Sequence, residues 1–301
     1  MLDNAPQSPA INPHRGLAVG SSEQVEALTR VCVDDLLSAF GLGALRRGRH
    51  PLELLCRIPA RRLARRAATY DRIVGESGLG TGGAWMLEQM SQRTEVEGRE
   101  NVPRKGPLLL VANHPGLCDT VALFAATPRA DLRVVAAKRP FLDALPNTSR
   151  YLLTLAEESP ERLGLIRAAT RHLRDGGALL TFPGGKIEPD PAVLPGAVEA
   201  LGRWSASVDL FVRLVPDLTV VPAIVSGVLS PIALRNPLTL LRRREEDRRW
   251  LAATIQILAP ALHDITVSVE FGSPIRADEG LPVGQMVLGE MRRLIERCGA
   301  G

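Results

Sequence analysis

Aromatic residues are scarce in this 301-residue chain. Six Phe, three Trp and two Tyr make up 4% of it. Single-stranded nucleic acid is held on aromatic stacking platforms, so the composition argues against that class of partner. Cysteine is nearly as sparse. Cys32, Cys56, Cys118 and Cys298 include no Cys-x-x-Cys pair. Their spacing frames neither a zinc site nor a disulfide scaffold, and a reducing cytoplasm is the expected compartment. No stretch approaches the roughly 18 apolar residues of a membrane span. The longest candidate, 219–234, is interrupted by Pro222, Gly227 and Pro231. The first 22 residues lack the apolar core of a signal peptide and read as a flexible tail over 1–20. The glycine-rich run 75–83 lacks the Gly-Lys-Ser/Thr ending of a phosphate-binding loop and reads as a linker. No metal site and no bound cofactor are implied.

Positive charge is present and unevenly placed. The net charge is +4, and between Arg46 and Arg66 eight arginines face a single acid, Glu53. Apolar residues at Leu52, Leu55, Ile58, Leu63 and Ala67 recur at helical spacing over 51–70, with a kink expected at Pro59. A basic amphipathic helix of this kind suits an anionic membrane surface, although a solvated helix face has the same pattern. Val25, Leu28, Val31, Leu36 and Leu37 predict a helix ahead of it.

The centre of the chain is Leu108-Leu-Leu-Val-Ala-Asn-His-Pro-Gly-Leu-Cys-Asp-Thr120. An apolar run ends abruptly at Asn113 and His114, Pro115-Gly116 supplies a turn, and apolar residues resume at Val121. This predicts a buried strand, a tight turn and a helix start. The turn brings an imidazole and the Asp119 carboxylate together at the carboxyl end of a strand, where open α/β sheets hold ligands. A carboxylate on one ring nitrogen fixes the tautomer of His114 and stabilises its imidazolium. The other nitrogen can then accept a proton from a substrate hydroxyl. The bland alternative is a turn histidine beside a helix-capping aspartate. Cys118 is read as a packed side chain, not a nucleophile.

Strands are predicted at 94–96, 108–112, 131–137, 178–182, 218–225 and 265–271. Helices are predicted at 84–92, 149–156, 160–174, 195–204, 241–262 and 282–298. Alternation of this kind implies an α/β fold: a mainly parallel wound sheet flanked by helices and preceded by an N-terminal helical segment over 21–93.

Four blocks in order resemble the glycerolipid acyltransferase family, the group containing the lysophosphatidic acid acyltransferases. Asn113-His114 and Asp119 match its first block, with the lead-in from Val96 to Pro107. Phe182-Pro183-Gly184-Gly185 is similar to its second, Val221-Pro222-Ala223 to a later strand, and Phe271-Gly272-Ser273-Pro274-Ile275 to the last. The resemblance implies an acyltransferase domain over 94–301. His114 and Asp119 would be its catalytic pair. Acyl-CoA or an acyl-carrier protein would be the donor and a lipid alcohol the acceptor. It places Asn113, Gly116, Phe182, Pro183, Gly184, Gly185 and Glu188 among the substrate-binding positions, and the cationic Lys138, Arg139 and Lys186 are candidates for an anionic headgroup or the donor's phosphates, with free solvated side chains as the alternative. Backbone N–H groups at Gly184 and Gly185 are candidates for the oxyanion. The chain departs from the family in its second block. Gly184 stands where the family has Glu, and Lys186 and Ile187 where it has Thr-Arg. The family's intermediate acidic–Arg pair has only loose counterparts in Glu157, Glu158 and Arg162. The Pro-Gly-Gly-x-x-Glu pattern is similar to that of diacylglycerol-type and wax-ester acyltransferases, whose acceptors can be neutral alcohols, and Glu188 is a candidate to replace the missing carboxylate, with an exposed loop pair of Lys186 and Glu188 as the alternative. A non-catalytic lipid-binding protein on the same fold, or transfer to an amine, are the alternatives.

Overall fold

A computed structural model describes residues 21–45, 47–155, 159–276 and 282–299. The expected tail, Arg46, Glu157 and Glu158 lie outside the described residues. Among the described residues one sheet contains β1 (Arg93–Glu97), β2 (Leu108–Ala112), β3 (Leu132–Ala137), β4 (Leu152–Leu155), β5 (Ala178–Thr181), β6 (Thr219–Ser226) and β7 (Thr266–Phe271). Their order is β1-β7-β6-β2-β5-β3-β4. All pairings are parallel except β6 with β7. The fold is thus the mainly parallel α/β sheet expected from the sequence.

β2, β5 and β6 lie at the centre, and every residue of each is buried. Strands covered on both faces need apolar side chains on both, and Leu108-Leu-Leu-Val-Ala112 supplies them. Leu108, Leu110 and Ala112 face one side, packing with Val221, Ala223 and Phe124. Leu109 and Val111 face the other, packing with Leu173, Phe211 and Met291.

The helices fill these two faces. α1 (Ser22–Ala39) and α2 (Arg49–Glu88) lead the chain, and α3 (Asp119–Ala126) follows β2. Two single turns, α4 (Pro140–Asp143) and α5 (Pro146–Ser149), precede β4, and α6 (Ser159–Arg174) precedes β5. α7 (Ala197–Ala200) and α8 (Ser207–Leu214) precede β6. α9 (Pro231–Leu234) and α10 (Glu245–Leu258) lead to β7, and α11 (Val283–Cys298) ends the described chain. Tyr70, Val74, Leu79 and Leu87 of α2 belong to the same core as β2, which the N-terminal segment joins chiefly by packing on α3.

Several local expectations are corrected. The run 75–83 is not a linker but part of α2, interrupted only at Gly78, whose φ of 84° and ψ of 172° are non-helical. Its glycines serve close approach. A Cβ on Gly83 would lie 2.6 Å from the Val121 carbonyl oxygen of α3. Pro59, where a kink is expected, lies inside α2. The carbonyl it leaves unpaired belongs to Leu55, an exposed residue where water can satisfy it. The expected helix over 149–156 is the edge strand β4, since Leu152-Leu-Thr-Leu155 pairs with β3. The expected helix over 195–204 is a single turn followed by a 3-10 turn, Leu201–Arg203. The long helix expected over 241–262 is confined to α10. Glu245, Glu246 and Asp247 favour its N-terminus, and Pro260 opens a separate 3-10 turn after it.

Candidate active site

β2 delivers Asn113 and His114 to the carboxyl end of the sheet. Asn113 is buried. Its side chain donates from Nδ2 to the Val225 carbonyl (2.9 Å) and accepts at Oδ1 from the Val225 N–H (2.8 Å). It thereby continues the pairing of β2 with β6 after the backbone ladder stops, and its amide is committed to protein rather than open to a substrate.

The chain then turns sharply. Gly116 and Leu117 both have positive φ, 92° and 54°. For leucine this is a costly conformation, held in place by the surrounding contacts. The turn closes on Asp119, the first residue of α3 and 1% exposed. Its Oδ2 accepts from the Gly116 N–H (2.7 Å) and faces His114 Nδ1 at 2.7 Å. Its Oδ1 accepts from the Thr120 N–H and from Thr120 Oγ1. The carboxylate is thus oriented before it orients the imidazole. With Nδ1 engaged, Nε2 of His114 has no protein partner among the described residues, and the side chain is 30% exposed. The Phe182 ring covers one face of the imidazole, with centroids 4.6 Å apart and planes inclined at 31°. Burial works to lower the His114 pKa, but the hydrogen bond and charge of Asp119, with the charge of Glu188, outweigh it and leave it raised above 6.5.

The loop after β5 locks onto this turn. Glu188 donates its N–H to the His114 carbonyl (2.8 Å), while its Oε2 accepts the His114 N–H (2.9 Å). Its Oε1 accepts from Trp204 Nε1 (2.7 Å). Both carboxylate oxygens are therefore engaged, and the residue is buried against the His114 backbone. Burial raises the Glu188 pKa, against the Trp204 and His114 hydrogen bonds. A Cβ on Gly184 would lie 2.8 Å from Glu188 Oε1. A carboxylate from four residues downstream thus fills the space that a side chain at 184 would enter. Ile187, 58% exposed, packs against Gly116 at the rim.

The other expected positions divide into two groups. Phe182 stacks on His114 and leads into the loop of Pro183, Gly184, Gly185 and Lys186, which Glu188 fastens to the His114 backbone, with Lys186 exposed. The Gly185 N–H is spent on the Phe182 carbonyl (3.0 Å), which removes it from the oxyanion candidates; the Gly184 N–H has no partner among the described residues. Lys138 and Arg139 are exposed at the end of β3, two strands from β2. At sheet spacing that is roughly 10 Å away. Arg139 is also directed toward α1, where its charge opposes the burial-driven rise in the Asp35 pKa. Cys118 is buried, and burial with the charge of Asp119 pushes its thiol far above the ordinary range. It is not poised as a nucleophile.

One residue of this region escapes the sequence motifs. Asp190 is fully buried and accepts from the N–H groups of Gly227 (2.9 Å), Leu229 (3.0 Å) and Ala192 (3.1 Å). It ties the loop after β5 to the loop after β6. An acid between Pro189 and Pro191 with no basic neighbour was the available signal.

Comparison with known proteins defines the class. Residues 93–226, from the start of β1 to the end of β6, match the family model described as Acyltransferase. Over that stretch the chain is similar to the acyltransferases of that family, which supports an acyltransferase enzyme. Among solved structures it is similar to the 1-acyl-sn-glycerophosphate (LPA) acyltransferase PlsC from Thermotoga maritima. That match has 17% identity over 91% of this chain and 93% of the other, with a TM-score of 0.44. No curated protein matches the chain. Among the described residues no helix is long and apolar enough to cross a membrane.

Proposed function

We propose that this enzyme moves a fatty acyl group from an acyl thioester, acyl-CoA or an acyl-carrier protein, to a hydroxyl of a glycerolipid or other lipid alcohol. The observation that carries the reading is the oriented His114–Asp119 pair, with Nε2 open at the carboxyl end of β2. His114 removes the acceptor's hydroxyl proton through Nε2 as that oxygen attacks the thioester carbonyl. Asp119 holds the proton on Nδ1 and balances the imidazolium. The unpartnered Gly184 N–H is the backbone donor proposed for the developing oxyanion. Collapse expels the thiolate, and the imidazolium returns its proton to the sulfur. Lys186 at the rim suits an anionic group on either substrate, and Ile187 beside it an apolar one. The pairing of these two with Gly184-Gly185 keeps neutral alcohols among the acceptors.

α2 is the proposed peripheral membrane contact on the cytoplasmic face. Leu54, Leu55 and Ile58 are exposed beside Arg61, Arg62 and Arg65. The deciding experiment offers labelled acyl-CoA, then acyl-carrier protein, to lysophospholipids and neutral alcohols. An acylated product made by the native chain and lost by roughly 10²–10⁴-fold in His114→Ala is expected. Unchanged turnover in that variant refutes the mechanism.

A further inference from the structure

The segment 231–250 is built with its polarity reversed. In the 3-10 turn Pro237–Leu241, Thr239 is buried while Leu238, Leu240 and Leu241 are 47%, 68% and 64% exposed. Hydrogen bonds hold it in this form. The Asn236 side chain accepts from the Leu238 N–H at 3.0 Å, and Thr239 Oγ1 donates to the Asn236 carbonyl at 2.7 Å. Ile232 on α9 and Trp250 on α10 are also exposed. Five large apolar side chains thus stand in water within twenty residues, where a folded surface ordinarily carries them singly.

Charge surrounds them. Arg235, Arg243 and Arg244 are exposed and make no ion pair among the described residues. Two of the nearby acids are already engaged, Asp247 by Arg242 and Glu245 by Arg249. Exposed apolar side chains interspersed along the chain with guanidinium groups that make no ion pair among the described residues, with a Trp among them, suit the interface of an anionic bilayer. There the tails take the leucines and the headgroups the arginines.

The location fits as well. The segment follows β6, whose carboxyl end adjoins that of β2, where His114 sits. Asp190 binds Gly227 and Leu229 just before it, so its base is tied to the loop that holds Glu188. It also touches the end of α1. The Arg242 guanidinium lies against Gly41, and Ala39 packs with Leu251 and Ile255.

We propose that 231–250 is a second membrane-docking surface, specific for anionic bilayers, beside the open end of the catalytic turn. It extends the contact proposed for α2 and does not depend on the identity of the acceptor. The test is vesicle flotation of the full chain with no acyl substrate present, using phosphatidylcholine vesicles with and without phosphatidylglycerol. Leu240→Glu with Leu241→Glu is expected to reduce partitioning onto the mixed vesicles by about tenfold or more, with the thermal unfolding midpoint preserved because both side chains are exposed. Arg243→Gln with Arg244→Gln should weaken binding to the mixed vesicles and leave binding to pure phosphatidylcholine unchanged. Native-level flotation of the leucine variant overturns the proposal, whatever substitutions at Leu54, Leu55 and Ile58 do. So does a dimer in the native chain that the leucine variant loses while still floating, since the surface would then belong to a second copy.

Discussion

A methyl group on Gly184 would arrive 2.8 Å from Glu188 Oε1 and 2.9 Å from its carboxyl carbon. The backbone at 184 does not have positive φ, so the obstacle to Gly184→Ala is this contact alone. A free glutamate would swing aside, but Glu188 is held by Trp204 Nε1 and the His114 N–H. Displacing it breaks two charge-assisted hydrogen bonds, each contributing about 1.5–3 kcal/mol, and leaves both donors short of a partner. Glu188→Ala loses the same bonds without a clash, so about 3 kcal/mol or more of stability is expected to go in each single variant. That is a large share of a typical 5–15 kcal/mol total. In the double variant the methyl at 184 enters space that Glu188 has vacated. Its cost should then stay close to that of Glu188→Ala alone, leaving a coupling energy of about 3 kcal/mol. Urea unfolding at constant slope measures the four corners of the cycle. Turnover should follow, because Glu188 grips the backbone of His114 from both sides, and a misplacement of about 1 Å costs on the order of 10²-fold. Full stability in Gly184→Ala, or simple additivity in the double variant, would refute the reasoning.

Three further outcomes follow from the catalytic turn and from the buried Asp71. The raised pKa of His114 places the rising limb of kcat/KM above pH 6.5, since only the neutral imidazole accepts a proton. Asp119→Asn should move that limb downward as kcat falls, and a limb that stays in place would remove Asp119 from its role. The charged pair also stabilises the fold fully below the ordinary histidine pKa of about 6.5, and that contribution fades as pH rises through the raised value. Asp71 is buried and accepts from the Thr148 N–H and Oγ1, both at 2.8 Å, and from Asn147 and Gln24. Asp71→Ala should cost roughly 3–5 kcal/mol in urea unfolding by stranding those donors, and a loss below about 1 kcal/mol would show that water replaces the carboxylate.

The strands were legible where burial on both faces leaves a continuous apolar run, as in Leu108–Ala112 and Thr219–Ser226. The His114–Asp119 contact was legible because five residues of turn chemistry bring the two together. Contacts made across the fold were not. Nothing local to Asp71 points to Thr148, and nothing local to Trp204 points to Glu188. The glycines of 75–83 signal flexibility in isolation, and only the neighbouring α3 turns them into a close helix contact. Leu152–Leu155 is too short for periodicity to separate helix from strand; pairing with β3 decides it.

The break at Gly78 divides α2 into two struts with separate anchors. The first carries Leu54, Leu55 and Ile58 and is moored by Asp71 to Thr148. The second is pressed at Gly83 onto α3, the helix that begins with Asp119. A force applied at the exposed leucines is grounded at Asp71 before it reaches the break. The pressure of a surface on those leucines is therefore borne by the Asp71–Thr148 anchor and not by the contact of Gly83 with α3.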